Sequence, residues 1–357
     1  MRTSFPIVLT MMSAALGLNV SAQAISFTLT DLGANVVPRD INNSGDVVGN
    51  FRTVANKVHA FRWHTGTLTD LGTTGGDYSD AFCINDAGVI GGESQSSLTD
   101  FTYHPFILPV GGSMTDLTPS APDMMGGWSA LTSLNDAGVG TGMMFYTGSG
   151  GYKYQVPFLY QSGTLTNIAV NGYNTSERPT SINNWNQLVG GDQGWGQYLY
   201  SGGTRYDLPR LGTGGMGNAL AINDVGQVVG QSYTMSSPPF HAFLWQPGKH
   251  NQTSGKIYDL GTMGGANSSA ATINSWGEII GWSQTTVGTG AQRAFITYAA
   301  DVIRGSFTLT DLSLIVDPTL TKVFGQPAKV NDAGQIIGQY YDTAGSVYHG
   351  CILTPVP

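Results

Sequence analysis

Four histidines, His59, His104, His241 and His349, open the same kind of short apolar run in four separate places. Such a set invites a metal reading, because neutral imidazole is a common ligand for zinc and copper. The spacing argues otherwise. Each histidine opens the third of four strand-like pieces in its own repeat, so in a circular array the four are spread apart and cannot converge on one ion. A packing or strand-end hydrogen-bonding role is expected instead. Aspartates return in the same periodic way at Asp31, Asp70, Asp116, Asp207, Asp259 and Asp311, with Asn167 in one further copy. A calcium loop needs several oxygens in one segment, and here each repeat offers one acid beside a leucine. Glycoside hydrolysis needs paired carboxylates or, in sialidases, a tyrosine nucleophile. After residue 24 the chain has three glutamates, Glu93, Glu177 and Glu278, and no spaced arginine set. Glu278 follows a turn glycine directly and is expected to face solvent. No nucleophile elbow, phosphate loop or zinc motif occurs. The Gly-Gly pairs at 75–76, 126–127, 214–215 and 264–265 precede strands, not helices, so they are loop glycines. No catalytic, cofactor-binding or metal-binding residue is assigned.

The elements that carry these residues repeat seven times. The fullest copy reads Ala221-Ile222-Asn223-Asp224-Val225-Gly226-Gln227-Val228-Val229-Gly230, then His241-Ala242-Phe243-Leu244-Trp245, then Asp259-Leu260-Gly261. Its asparagine returns at Asn42, Asn85, Asn135, Asn183, Asn223, Asn274 and Asn331, with gaps of 43, 50, 48, 40, 51 and 57 residues. That period is the one of propeller blades. Each repeat holds four apolar-alternating pieces of four to six residues, here called a, b, c and d, which have the period of strands. No sustained helical period is present. The Asn-Asp-x-Gly between a and b suits a type I turn with a bulge. Glycine occupies its fourth position in six copies, and Asn186 in the seventh, the residue type next best suited to the left-handed region.

The ends of the array are out of phase. The chain enters on a d piece, Phe27-Thr28-Leu29-Thr30-Asp31-Leu32, and closes on a c piece, His349-Gly350-Cys351-Ile352-Leu353. A ring closes if the first strand completes the last blade, which removes open sheet edges. The expected fold is therefore all-β, a seven-bladed β-propeller of four-stranded blades closed by the N-terminal strand. The Ile-Asn-x-x-Gly-x-Val-Val-Gly, His-Ala-Phe-x-Trp and Asp-Leu-Gly phrases together resemble the HAF-repeat family of bacterial extracellular proteins. That resemblance covers nearly the whole chain after residue 24. It implies a propeller and an extracellular location and supplies no catalytic residues.

Residues 1–24 read as an export signal, with Arg2, an apolar run from Phe5 to Val20, and Ala22-Gln23-Ala24 as the cleavage site. Residues 25–357 then form one propeller domain, secreted or periplasmic. Glycine makes up 50 of 357 residues and charged residues only 11%, a balance that fits short strands and tight turns when apolar pairs recur on schedule. The formal charge is −8, which disfavours nucleic acid and anionic membrane surfaces as partners. Cys83 and Cys351 fall in repeats that are not neighbours in a ring of seven, so both thiols are expected to be free and buried.

In a four-stranded blade the b–c and d–a connections emerge at the same end. They are rich in Tyr, Ser, Gly and Gln, and Trp282, Trp128, Trp195, Tyr78 and Tyr233 are the candidate binding residues there. Trp282 replaces the Asn, Glu, Gln or small residue of other copies, and a ring so close to the strand also has a packing reading. The function expected is non-catalytic binding or scaffolding, with an extracellular glycan or protein as partner. A polysaccharide hydrolase or lyase, and a structural envelope or matrix component, are the alternatives.

Overall fold

A computed structural model describes residues 26–99, 102–118, 128–147, 153–169, 177–192, 196–213, 216–235, 239–285, 292–314, 323–342 and 345–356. Residues 1–24, which the sequence suggests are an export signal, and Trp195 lie outside them. The fold is an all-β propeller. Antiparallel sheets, mostly four-stranded, follow one another along the chain, beginning with Val36–Ile41, Val47–Arg52, Val58–His64 and Thr67–Gly72. Among the described residues five sheets have four strands. A sixth has eight, because one bridge, Gly191 to Asn218, links two four-stranded sets.

The last sheet contains both ends of the chain. Strand Ser26–Ala34 pairs antiparallel with Val347–Val356, with Leu29 opposite Leu353, Thr30 opposite Ile352 and Asp31 opposite Cys351. Phe27 is buried with Phe324, Tyr340, Cys351 and Leu353. The apolar cores lie between successive sheets, as where Leu32 and Ile352 meet Val36, Val47 and Phe61.

The turn asparagines explain how the sheets are held. Asn42 Oδ1 accepts from the Ser44 and Asp46 amides at 3.1 and 2.9 Å, which folds the turn. Its Nδ2 then donates to the Asn85 carbonyl at 3.2 Å. The same donation runs from Asn85 to Asn135, Asn183, Asn223, Asn274 and Asn331, and from Asn331 back to Asn42 at 2.9 Å. Seven buried side chains thus form a closed ring of hydrogen bonds. The expected left-handed residues are in place, with φ of 82° at Gly45 and 58° at Asn186.

Each inner strand carries a bulge three residues before its asparagine, as at Arg39, Phe82 and Thr180, where the pairing register skips. The glycine of the Val-Val-Gly phrase faces the phenylalanine of strand c: Gly49 opposite Phe61, Gly92 opposite Phe106, Gly281 opposite Phe295. In the last sheet Cys351 takes the phenylalanine's place opposite Gly338. A six-residue helix, Ala299–Arg304, differs from the helix-free expectation. It sits in an enlarged c–d connection, its Ala299 amide donating to Gly277 O at 2.8 Å.

Both cysteines are free and buried. Burial pushes the Cys83 thiol well above its ordinary range. Native protein is therefore expected to be inert to a thiol reagent, and two thiols should titrate once denaturant is added without reductant. Fewer than two in denaturant would contradict the structure.

Candidate functional site

The residues with chemical potential occupy two ends of the propeller. At the a–b turn end, the residue after each ring asparagine forms a second layer. Its backbone amide donates to the side chain of the next repeat: Asn43 to Asp86, Asp86 to Asp136, Asp136 to Asn184, Asn184 to Asp224, Ser275 to Asp332, and Asp332 to Asn43, all at 2.8–3.0 Å. The step from Asp224 to Ser275, where the acceptor is a serine, has no such bond among the described residues. A polar hollow of about 160 Å³ lies at this end. Its carboxylates are taken up by neighbouring turns, and among the described residues no group of three or more acidic, histidine or cysteine side chains could hold a metal ion.

The repeated histidines each meet one partner. His59, His104, His241 and His349 bring Nδ1 to Asp70, Asp116, Asp259 and Asp31 at 3.0, 2.7, 2.9 and 3.0 Å. They lock strand c to strand d, as the sequence suggests. Arg293 does the same with Asp311 at 3.0 Å. Asp31 is supplied by the N-terminal strand. Burial raises the pKa of Asp31, but the Gly33 amide and His349 outweigh it and hold the carboxyl below its ordinary range. Glu278 is half-buried instead of solvent-facing, because its carboxylate accepts from ring Asn274 at 2.6 Å.

The opposite, loop end gathers the candidate aromatics into two groups. Tyr78 and Trp128 both stand near the Glu93 carboxyl, and Tyr78 meets Tyr103 edge-on at 4.9 Å. Trp128 is 39% exposed. Tyr233 stacks on Phe240 at 6.2 Å, and Trp282 meets the same Phe240 edge-on at 5.9 Å. Trp282 is half-buried, so its packing reading is the one its contacts support.

Beneath Tyr78 lies an acidic pair that sequence reasoning did not bring together. Asp80 and Glu93 face each other across strands a and b, with exposures of 0% and 3%. Asp80 accepts from Arg39 at 2.9 Å and Asn50 at 2.7 Å. Asp80 Oδ1 and Glu93 Oε2 have no hydrogen-bond partner among the described residues. Burial, reinforced by the Asp80 charge, pushes the Glu93 pKa up to about 8, and burial raises that of Asp80 as well. A carboxyl with a raised native pKa binds its proton in the fold but loses it in the unfolded chain near its ordinary 4.5. Stability should therefore fall as pH rises from about 4.5 to about 8. Glu93→Gln keeps the shape without the charge. It should flatten that slope and raise stability at pH 8 by about 1–3 kcal/mol. Thermal melts across this range check it, and parallel wild-type and variant curves would refute the assignment.

A cleft of about 270 Å³ opens beside the second aromatic group, lined by Arg178, Asp192, Met216, Asn218, Gln231 and Tyr233 together with Gly191 and Gly217. A repeat-level reason places it there. Counting from the ring asparagine, the residue five before and the residue eight after face each other across strands a and b. The pairs include Asp80 with Glu93, Arg178 with Gly191, Asn218 with Gln231, and Ser269 with Trp282. Gly191 has no side chain to fill its position. Asn218 of the next repeat lies against it instead, where a Cβ would overlap Asn218 Oδ1. Below the wall, Asp192 and Glu177 both bind the buried guanidinium of Arg205. The signal for this site was present as variation at one pair of positions, legible only once the register of a against b is known.

No protein-family model matches the chain, and no curated protein matches it. Among solved structures it is similar to YCF48 from Cyanidioschyzon merolae, with a TM-score of 0.50 at 10% identity over 92% of this chain and 98% of that one. It is also similar to a puromycin-hydrolyzing peptidase of Mycobacterium tuberculosis, with a TM-score of 0.49 at 11% identity over 91% of this chain and 52% of that one. A third similarity is to the β-propeller domain of the Trilobed protease from Pyrococcus furiosus, at a TM-score of 0.36, 9% identity, and 91% and 84% coverage. The chain spans about half the length of the peptidase. At 10% identity the similarity to YCF48 speaks for the fold alone and transfers no activity.

Proposed function

We propose that this is an exported, non-catalytic binding propeller of the HAF-repeat type, whose loop end recognises an extracellular glycan. Its fold is read as seven blades closed by the N-terminal strand. The seven-step asparagine ring supports that count, as does the single bridge between two otherwise complete four-stranded sets. The observation that carries the binding reading is the cleft beside Tyr233. It combines an aromatic ring, already backed on one face by Phe240, with side-chain amides and a guanidinium. Aromatic platforms with a few polar groups suit oriented binding of a ligand. The acidic pair of Asp80 with Glu93 is buried within another sheet, and the pair of Glu177 with Asp192, of which Asp192 reaches the cleft wall, is held by the Arg205 guanidinium. This arrangement favours binding over glycoside hydrolysis. The hydrolase or lyase reading draws on one feature, the raised pKa of Glu93 under the exposed Trp128.

A screen of residues 25–357 against glycans and secreted proteins tests the reading. Tyr233→Ala should weaken glycan binding about tenfold or more with the melting temperature nearly unchanged. Trp282→Ala should lower the melting temperature by several degrees, because it strips the edge contact from Phe240. A folded protein that binds no glycan would refute the proposal. Release of reducing ends from a polysaccharide, abolished by Glu93→Gln, would establish the enzyme reading instead.

A further inference from the structure

Arg178 differs from four other arginines of the sheets. Arg39, Arg62, Arg205 and Arg293 are each held by a carboxylate. Arg178 is exposed and, among the described residues, has neither an ion-pair partner nor a hydrogen-bond acceptor, although it lines the cleft. Asn218 turns its oxygen inward against Gly191, where it is buried without a donor, so its amide nitrogen is the group left for the cleft. Gln197, fully buried, likewise has an unpartnered Oε1 lying against Gly217 in the cleft wall. Gln231 stands across the strands from Asn218 and adds a second amide. The wall's one acid, Asp192, is engaged by Arg205 at 3.2 Å. The cleft therefore offers the amide nitrogens of Asn218 and Gln231 and one free positive charge; its acid is already committed, and the oxygens of Asn218 and Gln197 are turned into the wall.

We infer that this cleft takes a sugar carboxylate, a uronate unit of an acidic glycan. The planar guanidinium of Arg178 matches a carboxylate in two parallel hydrogen bonds. The amides of Asn218 and Gln231 donate to the ring and hydroxyl oxygens beside it, and Tyr233 covers the apolar face of the sugar. The inference rests on the glycan-binding reading above and names the ligand's charge and its site.

The test compares tetragalacturonate with its fully methyl-esterified form by calorimetry on the full mature chain. The two share one sugar backbone and differ in the carboxylate charge and the ester methyl that replaces it, and the salt dependence separates charge from bulk. The free acid should bind at least about tenfold more tightly, and the preference should weaken with added salt. Arg178→Gln should erase the preference, and Arg178→Lys should keep part of it. Arg178 is exposed, so an unchanged melting temperature certifies the fold of both variants. Asn218→Leu should weaken both ligands. Equal binding of acid and ester by the wild type would overturn the inference and leave the glycan reading intact. So would binding of neutral glycans alone, or a preference that survives Arg178→Gln. Binding of no glycan at all would overturn both.

Discussion

A chain lacking residues 26–34 should fail to form a stable propeller. The deletion removes a complete strand, exposes the hydrogen-bonding edge of Val347–Val356, and takes Phe27 and Leu32 out of two inter-sheet cores. It also removes Asp31, the partner of His349. Two large apolar side chains and a ladder of strand pairs together amount to roughly 5 kcal/mol or more, the exposed Asp31–His349 contact adding little. That is a large share of a domain's net stability. The melting temperature should fall by about 10 °C or more, or the protein should aggregate, since an open edge is a template for pairing. Adding a synthetic peptide of residues 26–34 should restore part of the loss. A truncated chain that melts with the full-length one would refute ring closure by this strand.

The second large effect is expected at a glycine. A methyl group at Gly281 would overlap the Ser269 carbonyl oxygen and stand 2.7 Å from Phe295 Cζ and 2.8 Å from Ala270 Cα. Two of those three neighbours are backbone in the paired inner strand, so they cannot yield without parting the strands. Gly281→Ala should cost about 3 kcal/mol, a drop of several degrees in melting temperature. Phe295→Leu in the same chain should recover little, because the carbonyl overlap stays. Gly112→Ala is the control: its Cβ would meet nothing closer than Pro109 O at 3.4 Å, and it should melt like the wild type. Equal melting temperatures for Gly281→Ala and Gly112→Ala would show that strands a and b are not in this register.

Local, repeated chemistry was legible in the sequence. The turn asparagine, the left-handed Gly45 and Asn186, the free cysteines and the pairing of Leu29 near Ile352 all follow from rules that act within a few residues or from the phase of the repeat. Such features need only the period and the local backbone preference. The helix Ala299–Arg304 was not legible, because six residues in a connection are too few for a period to show.

The ring of asparagines was half legible. Its turn function is local, but donation from Asn42 to Asn85 spans 43 residues and exists only when neighbouring sheets stand side by side. Glu278 reads as a surface acid in the sequence, yet Asn274, four residues before it in the same turn, holds its carboxylate in the fold. The candidate aromatics could be placed at one end of the molecule from the strand order alone. Which of them pack and which stay open depends on neighbours across strands and repeats, as Phe240 decides for Tyr233 of its own repeat and for Trp282 of the next.

The sequence by itself therefore determined the repeat, the strand class, the turn geometry and the end of the propeller on which variation is concentrated, because these depend on short-range periodicity. Only the tertiary structure decided that Asp80 shares its burial with Glu93, that Gly191 lets Asn218 pack against it in the wall of a cleft, and that Arg178 keeps a free charge there. Those outcomes turn on which side chains of different strands and different repeats come within a few ångströms of one another, and on how much water is left between them. Distance and desolvation across 13 to 40 residues of chain are set by packing, and no single stretch of the sequence carries them.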